Sequence, residues 1–421
     1  MSFKEYLINN FENILAKYKF QNLEERRTIF KEFEKEGLPN LKNEDWKYTP
    51  INFLYNNDFE LIANQKLDIA DFTKKKSNFY IPENSNVFTF CNGIFAEDES
   101  INLGNVKLEI NDDIFNNISD NFPDGQMKTS LNNDIFYKIN QSLAPKSNKI
   151  SIVSNSNPTT IILAASGETS SSFVNSKLHI SVEKNVETSI FIYYLNANQK
   201  KVFINQLLEF EIKENAQVKI YMIENDDNYL INNISLQQLK DSNLQFHIFS
   251  LKGNFIRNSV RNSLDGTGIQ SLIYGLYLPN GNDIMDNHIL MTHNKPNCHS
   301  NQQLKGIMQD KSRGIFSGKI LVQKDAQKTD AYQSNKNILV TKDASIYTKP
   351  ALEIYADDVK CSHGATSGFL QEEELFYLTS RGIGVEEGKS LLLKAFANEI
   401  IEKVTEENLK LWLQKEIEIL I

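Results

Sequence analysis

Cysteine is scarce in this 421-residue chain: Cys91, Cys298 and Cys361 are the only three. An odd, sparse set without a C-x-x-C pair excludes a disulfide framework and fits a reducing compartment. Positive charge is short as well. Lys plus Arg is 45 against 54 for Asp plus Glu, giving a formal net charge of −9 and a pI near 5.4. A chain built to coat nucleic acid or anionic lipid shows the opposite balance, or at least a basic block. The one basic run, Lys74-Lys75-Lys76, is short and reads as a solvated turn. No stretch reaches about 18 apolar residues, so no membrane-spanning helix is expected. The N-terminus is charged and amphipathic and lacks the apolar core and cleavage site of a signal peptide. These absences together point to the cytoplasm.

Familiar catalytic signatures are absent too. There is no G-x-S-x-G elbow, and no Rossmann glycine pattern follows a strand. The nearest thing to a phosphate loop is Gly384-Val385-Glu386-Glu387-Gly388-Lys389-Ser390. It has one residue too few between its glycines, and two carboxylates would face the phosphates. It reads as a loop entering a helix.

The remaining composition is that of a globular protein, with 40% hydrophobic and 24% charged residues. The first forty residues read as two helices. Phe3, Leu7, Phe11, Ile14 and Tyr18 form one apolar face. Leu23, Arg27, Phe30 and Phe33 mark the second, which stops at Gly37-Leu38-Pro39. The segment Glu44-Asp45-Trp46-Lys47-Tyr48-Thr49-Pro50 reads as an ordered loop, with Trp46 tying it to the helical region. Strand-like runs begin at Val87 and Val106, and a helix spans Asp134 to Leu143.

From about residue 150 to 360 helical periodicity disappears. Short β-branched or alternating runs replace it, separated by Asn, Asp and Gly turns. A loose repeat lies within. Glu183-Lys184-Asn185-Val186 followed by a strand resembles Lys213-Glu214-Asn215-Ala216. Asp241-Ser242-Asn243 and Asp265-Gly266-Thr267-Gly268 echo the pattern, and Lys342-Asp343-Ala344-Ser345-Ile346 does so again. The first four recur at roughly 24 to 30 residues, which is a coil length. The reading is a mainly β protein with a parallel β-helix core whose ends the terminal helices cap. Three C-terminal helices are expected. Glu372–Arg381 ends at Gly382. Glu386–Val404 carries a stripe of Leu392, Phe396, Ile400 and Val404, with Leu391 and Ala395 beside it. The third is capped by Thr405, with Leu409, Trp412 and Leu413 inward. The domains are then 1–145, 146–364 and 365–421.

Two clusters could carry chemistry. If Glu353–His363 is a strand, then Asp357, Cys361 and His363 share one face. A thiol and an imidazole two residues apart lie roughly 7 Å from each other, within reach of one metal or cluster. Thiolate and imidazole suit zinc or iron. A bare C-x-H pair is, however, more often a buried Cys beside a bonded His. The second cluster is His288, His293, Cys298 and His299. Strand geometry sets His288 and His293 on opposite faces, and no zinc-finger spacing fits, so a structural role is expected. A stable iron–sulfur cluster takes about four protein ligands. Three distant cysteines would have to share that task with a partner.

Several runs resemble the SufB/SufD family of iron–sulfur assembly proteins. They are Lys305-Gly306-Ile307, Phe316-Ser317-Gly318-Lys319-Ile320, Ala326-Gln327-Lys328-Thr329-Asp330-Ala331 with Asn335, and Pro350-Ala351-Leu352-Glu353-Ile354. Asp357-Asp358-Val359-Lys360-Cys361-Ser362-His363-Gly364-Ala365-Thr366 and Leu375-Phe376-Tyr377-Leu378 with Ser380-Arg381-Gly382-Ile383 continue the likeness, as does Glu44-Asp45-Trp46-Lys47-Tyr48-Thr49. The C-S-H-G-A-T form is similar to the SufD branch, whereas SufB chains typically have a Glu-containing version.

The resemblance implies a right-handed parallel β-helix flanked by N-terminal and C-terminal helical domains. It implies a non-enzymatic scaffold that pairs with a SufB-like paralogue and binds a SufC-like ABC ATPase. The nascent cluster, a transient iron or iron–sulfur species, would be shared with SufB at their interface, with no stable cofactor in the isolated chain. His363 and Cys361 match interface positions. Phe376, Tyr377 and Arg381 are the candidate ATPase-docking residues. Alone, the chain could form a homodimer. Two other classes stay open: a β-helix polysaccharide-processing enzyme, and a zinc-dependent enzyme using His288, His293 and Cys298. Fold analogy decides neither.

Overall fold

The computed structural model describes all residues except 1, 64–66, 112–121, 124, 156, 168–170 and 198–200. Helix α1 (Phe3–Lys17) begins with a capping box between Ser2 and Glu5. Helix α2 (Leu23–Glu36) stops at Gly37, whose φ of +73° favours glycine. Phe3, Leu7, Phe11 and Ile14 of α1 and Phe30 and Phe33 of α2 are buried as expected, whereas Tyr18 is half-buried, Leu23 is exposed, and on α2 Arg26 turns inward in place of Arg27. Arg27 pairs with Glu12 and Glu24 at the surface. Short elements follow: α3 (Phe53–Asn56), β1 (Glu60–Leu61) and α4 (Ile69–Lys76). The lysine run thus ends a helix and is not a turn. Its charge complements the helix C-terminus, and Lys75 reaches the Asn196 carbonyl at 2.6 Å and Asp226 at 3.2 Å.

Strands β2 (Asn86–Cys91), β3 (Ile94–Phe95) and β4 (Val106–Asn111) and helices α5 (Gly125–Asn132) and α6 (Ile135–Leu143) lead to the solenoid. Its strands are β5 (Ser147–Ile152), β6 (Thr159–Ala165), β7 (Ser171–Val182), β8 (Glu187–Asn196), β9 (Lys201–Ile212), β10 (Gln217–Asn225), β11 (Tyr229–Gln238), β12 (Asn243–Lys252), β13 (Phe255–Leu264), β14 (Gln270–Tyr277), β15 (Ile284–His293), β16 (His299–Met308), β17 (Arg313–Val322), β18 (Thr329–Leu339), β19 (Ser345–Ile354) and β20 (Val359–Phe369). Odd strands from β5 to β19 form one sheet and even strands from β6 to β20 the other, all paired in parallel, over about seven turns. The interior is filled by Ile, Leu, Val and Phe from both sheets.

The repeat seen in sequence is one corner of each coil. Asn185, Asn215, Asp241, Gly268, Asn297 and Lys328 hold φ between +56° and +72°. Asn, Asp and Gly tolerate that conformation best, which explains the turn composition. Corner amides bond carbonyls of the next coil, as from Asn185 to Glu214 at 3.1 Å and from Asn215 to Lys240 at 3.0 Å. The Lys342–Ile346 echo belongs elsewhere. It joins β18 to β19 and so occupies the opposite corner.

The terminal helices clad the faces of the solenoid and do not cap its ends. Phe3 and Phe53 pack on Phe173, Phe203 and Phe255, which project from the odd sheet. Helices α7 (Glu372–Ser380), α8 (Val385–Ile401) and α9 (Glu407–Leu420) follow β20, and α8 and α9 cover Phe191, Tyr221, Phe249 and Leu276 on the even sheet. These outer faces are aromatic and cannot be left wet, so they draw the helices to themselves. The buried stripe of α8 is Gly388, Leu393, Ala397, Ile400 and Ile401. It is rotated by one residue from the expected one, because Leu391-Leu392-Leu393 fits either phase. Thr405 is not the α9 cap. Its hydroxyl pairs with Tyr221 at 3.1 Å, and Glu406 takes the cap position.

Candidate functional site at the open end of the solenoid

Among the described residues, strand β19 pairs only with β17, and β20 only with β18. Among the described residues no strand covers their outer edges, so the last coil presents an open end. On β18 the buried residues Ala331, Gln333, Asn335 and Asn337 alternate with more exposed ones, which identifies the inner face. The register sets Cys361 opposite Ala331 and His363 opposite Gln333. Cys361 and His363 therefore share the inner face, roughly 7 Å apart along the strand.

The two groups differ in exposure. Cys361 is half-buried against the end of the apolar interior, whereas His363 is exposed. Burial pushes the Cys361 thiol up, the charge of Asp330 adds to this, and the Ala331 amide opposes it. The thiol is therefore protonated at rest, and a bound metal would have to displace that proton. Asp357 does not join them. Residues 355–358 form the corner between β19 and β20, so the single strand expected over Glu353–His363 is broken there. The corner is needed to pass the chain from one sheet to the other. Among the described residues no three His, Cys, Asp or Glu side chains form a metal-holding group.

The second cluster does not converge. His293 lies inside the solenoid with Nε2 2.8 Å from Ser300 Oγ, and burial lowers its pKa to about 3. Cys298 is buried with its thiol 3.2 Å from the Gly266 carbonyl. His299 faces outward beside Asp330 at 3.3 Å. His288 lies on the opposite face of β15 from His293, 3.0 Å from Asp286. The zinc reading loses its geometry.

His288 and Asp286 instead support the loop at residues 44–49. The Arg257 guanidinium lies over the Trp46 ring at 3.9 Å, Phe136 packs tilted against Trp46 at 5.3 Å, Thr49 donates to Asp286 at 2.6 Å, and Tyr48 stacks on Tyr347 at 4.1 Å. Burial alone would raise the Asp286 carboxyl, but Arg257, His288 and Thr49 outweigh it and hold it near about 2. The anchor thus reaches past the helices to β19, where Lys349 pairs with Glu44. Sequence spacing carries no signal for contacts some three hundred residues apart.

The expected docking residues are all on the surface of α7 or its C-cap. Phe376 is 74% and Tyr377 59% exposed, and the Arg381 guanidinium sits 5.3 Å from the Tyr377 ring. Missed in the sequence were the inner polar residues Gln302 and Gln333. The alternation in Gln333-Ser334-Asn335-Lys336-Asn337 was their only trace.

Fold and site together define a class: a parallel β-solenoid, clad on both faces, that carries a thiol and an imidazole on a final coil with an uncovered outer edge. Residues 163–396 match the family described as SUF system FeS cluster assembly, SufBD core domain, and residues 3–102 match the SufBD protein N-terminal region. The chain belongs to the SufB/SufD family of iron–sulfur cluster assembly proteins. It is 30% identical over 382 residues to the iron–sulfur cluster assembly protein SufD of Escherichia coli (strain K12), covering 89% of this chain and 87% of that one. A SufBD family protein of Synechocystis is 29% identical over 389 residues, covering 87% of this chain and 84% of its own.

Proposed function

We propose that this chain is a non-enzymatic scaffold subunit of a cytoplasmic iron–sulfur assembly complex. In this reading it pairs with a SufB-like paralogue through its open coil and binds a SufC-like ATPase through α7, with Phe376, Tyr377 and Arg381 in contact. The observation that carries the reading is the pair Cys361 and His363 on the inner face of an uncovered edge strand. Two donors on an open edge can be completed by donors of a neighbouring chain.

His363 supplies an imidazole to iron or to one corner of the nascent cluster, which is cargo here. Cys361 is the weaker donor at rest, because its thiol must first lose a proton. Incomplete ligation suits a cluster that must leave. ATP-driven closure of the ATPase pair would pull on α7 and so on β20, which precedes it directly in sequence.

The test is His363→Ala in the complex reconstituted anaerobically. The side chain is exposed, so folding and assembly should persist. Cluster yield, read from visible absorbance, should fall by about tenfold or more, since even losses around a metal ligand cost that much. An unchanged yield would remove His363 from the mechanism.

A further inference from the structure

The inner column that ends in His363 contains an unused acceptor. Gln333 precedes His363 in register and is 2% exposed. Its Nε2 donates to Gln302 Oε1 at 3.0 Å, which fixes the amide plane. Its Oε1 is buried and has no hydrogen-bond partner. Across the interior, Gly318 makes room for this amide: a Cβ there would stand 1.8 Å from Gln333 Nε2. The glycine of the Phe316-Ser317-Gly318-Lys319 run is thereby explained.

An imidazole that binds metal through one nitrogen carries its proton on the other, and an acceptor for that proton fixes the tautomer and the ring orientation. We propose that Gln333 is the positioning residue for His363, its carbonyl accepting the proton of the ring nitrogen that faces away from the metal. This rests on the reading of His363 as an iron ligand.

The experiment titrates the full chain anaerobically with Zn2+ as the probe. It follows both the dissociation constant and the ¹⁵N signals of the His363 ring. Gln333→Leu should weaken binding about ten- to hundredfold and mix the ring tautomers. Gln333→Glu, which keeps an acceptor, should recover most of the loss. Gly318→Ala, which crowds the amide without removing it, should fall between them, and these two variants carry the test if Gln333→Leu does not fold. A Gln333→Leu chain with unchanged affinity and a single unchanged tautomer would overturn the proposal. His363→Ala separates the two ideas. If it binds Zn2+ as tightly as the native chain, the His363 reading fails and the Gln333 role with it. If it loses Zn2+ while Gln333→Leu does not, only the Gln333 role fails.

Discussion

Along one inner column of the even sheet, Ile190, Ile220, Phe246 and Ile273 are followed by Gln302, Gln333 and His363. The coils before the switch are buried on both sides. Strand β7 has eleven buried residues of twelve, whereas β20 has none of eleven. The backbone geometry is the same at both ends, so the difference lies in side chains and cover. Early coils carry aromatic outer faces that hold the helices and largely apolar inner faces, interrupted by the buried Glu224, Asn232 and Asn258 network, that hold each other. The last coil has polar inner residues, a bare edge, and exposed Ile354, Tyr355 and Phe369. Long uncovered edges with apolar residues are normally avoided in monomers. Burial is thus concentrated in the clad coils, and the final coil is left with an uncovered edge.

The comparison can be broken at its strong end first. Phe203 is fully buried and contacts the rings of Phe3, Phe53 and Phe173 at 5.6, 5.4 and 5.0 Å. Phe203→Ala should cost about 3–5 kcal/mol in chemical denaturation. The second test concerns Glu224, a carboxyl inside the clad coils that accepts from Asn232, Ser250 and Asn258. Burial raises its pKa from 4.5 to about 7. The folded state therefore holds a proton that the unfolded chain has released. Its contribution to stability should fall as pH rises from about 4.5 to about 7, by on the order of 3 kcal/mol, and stay level above that. Glu224→Gln should abolish this slope in denaturation curves taken across that window. The smallest effect belongs to the open coil. Phe369→Ala, at a site 57% exposed, should change stability by no more than about 0.5 kcal/mol. A loss of the Phe203 size at Phe369 would show that the final coil is as tightly held as the early ones.

Much of the architecture could be read before any coordinates. The Asn and Asp turns at Asn185, Asn215 and Asp241 marked a real corner, because a left-handed φ restricts residue choice locally. The C-x-H pair was legible for the same reason: two residues on one strand keep their relation wherever the strand goes. The limit appeared wherever position depended on another element. Asp357 was placed on a strand because nothing local reveals where the chain must cross between sheets. The Leu391-Leu392-Leu393 run fixed a helix but not its phase. Trp46 does tie its loop to the helical region through Phe136 of α6, but its contact with Arg257, far along the chain, has no local signal.

By itself the sequence determined the repeated corner, the helical ends and the shared face of Cys361 and His363 on β20, because each depends on neighbours a few residues away. The tertiary structure alone decided that the helices clad the faces, that Gln333 and Gly318 meet behind His363, and that the last coil stays open. Those facts depend on register between coils about thirty residues apart, which local preference does not encode.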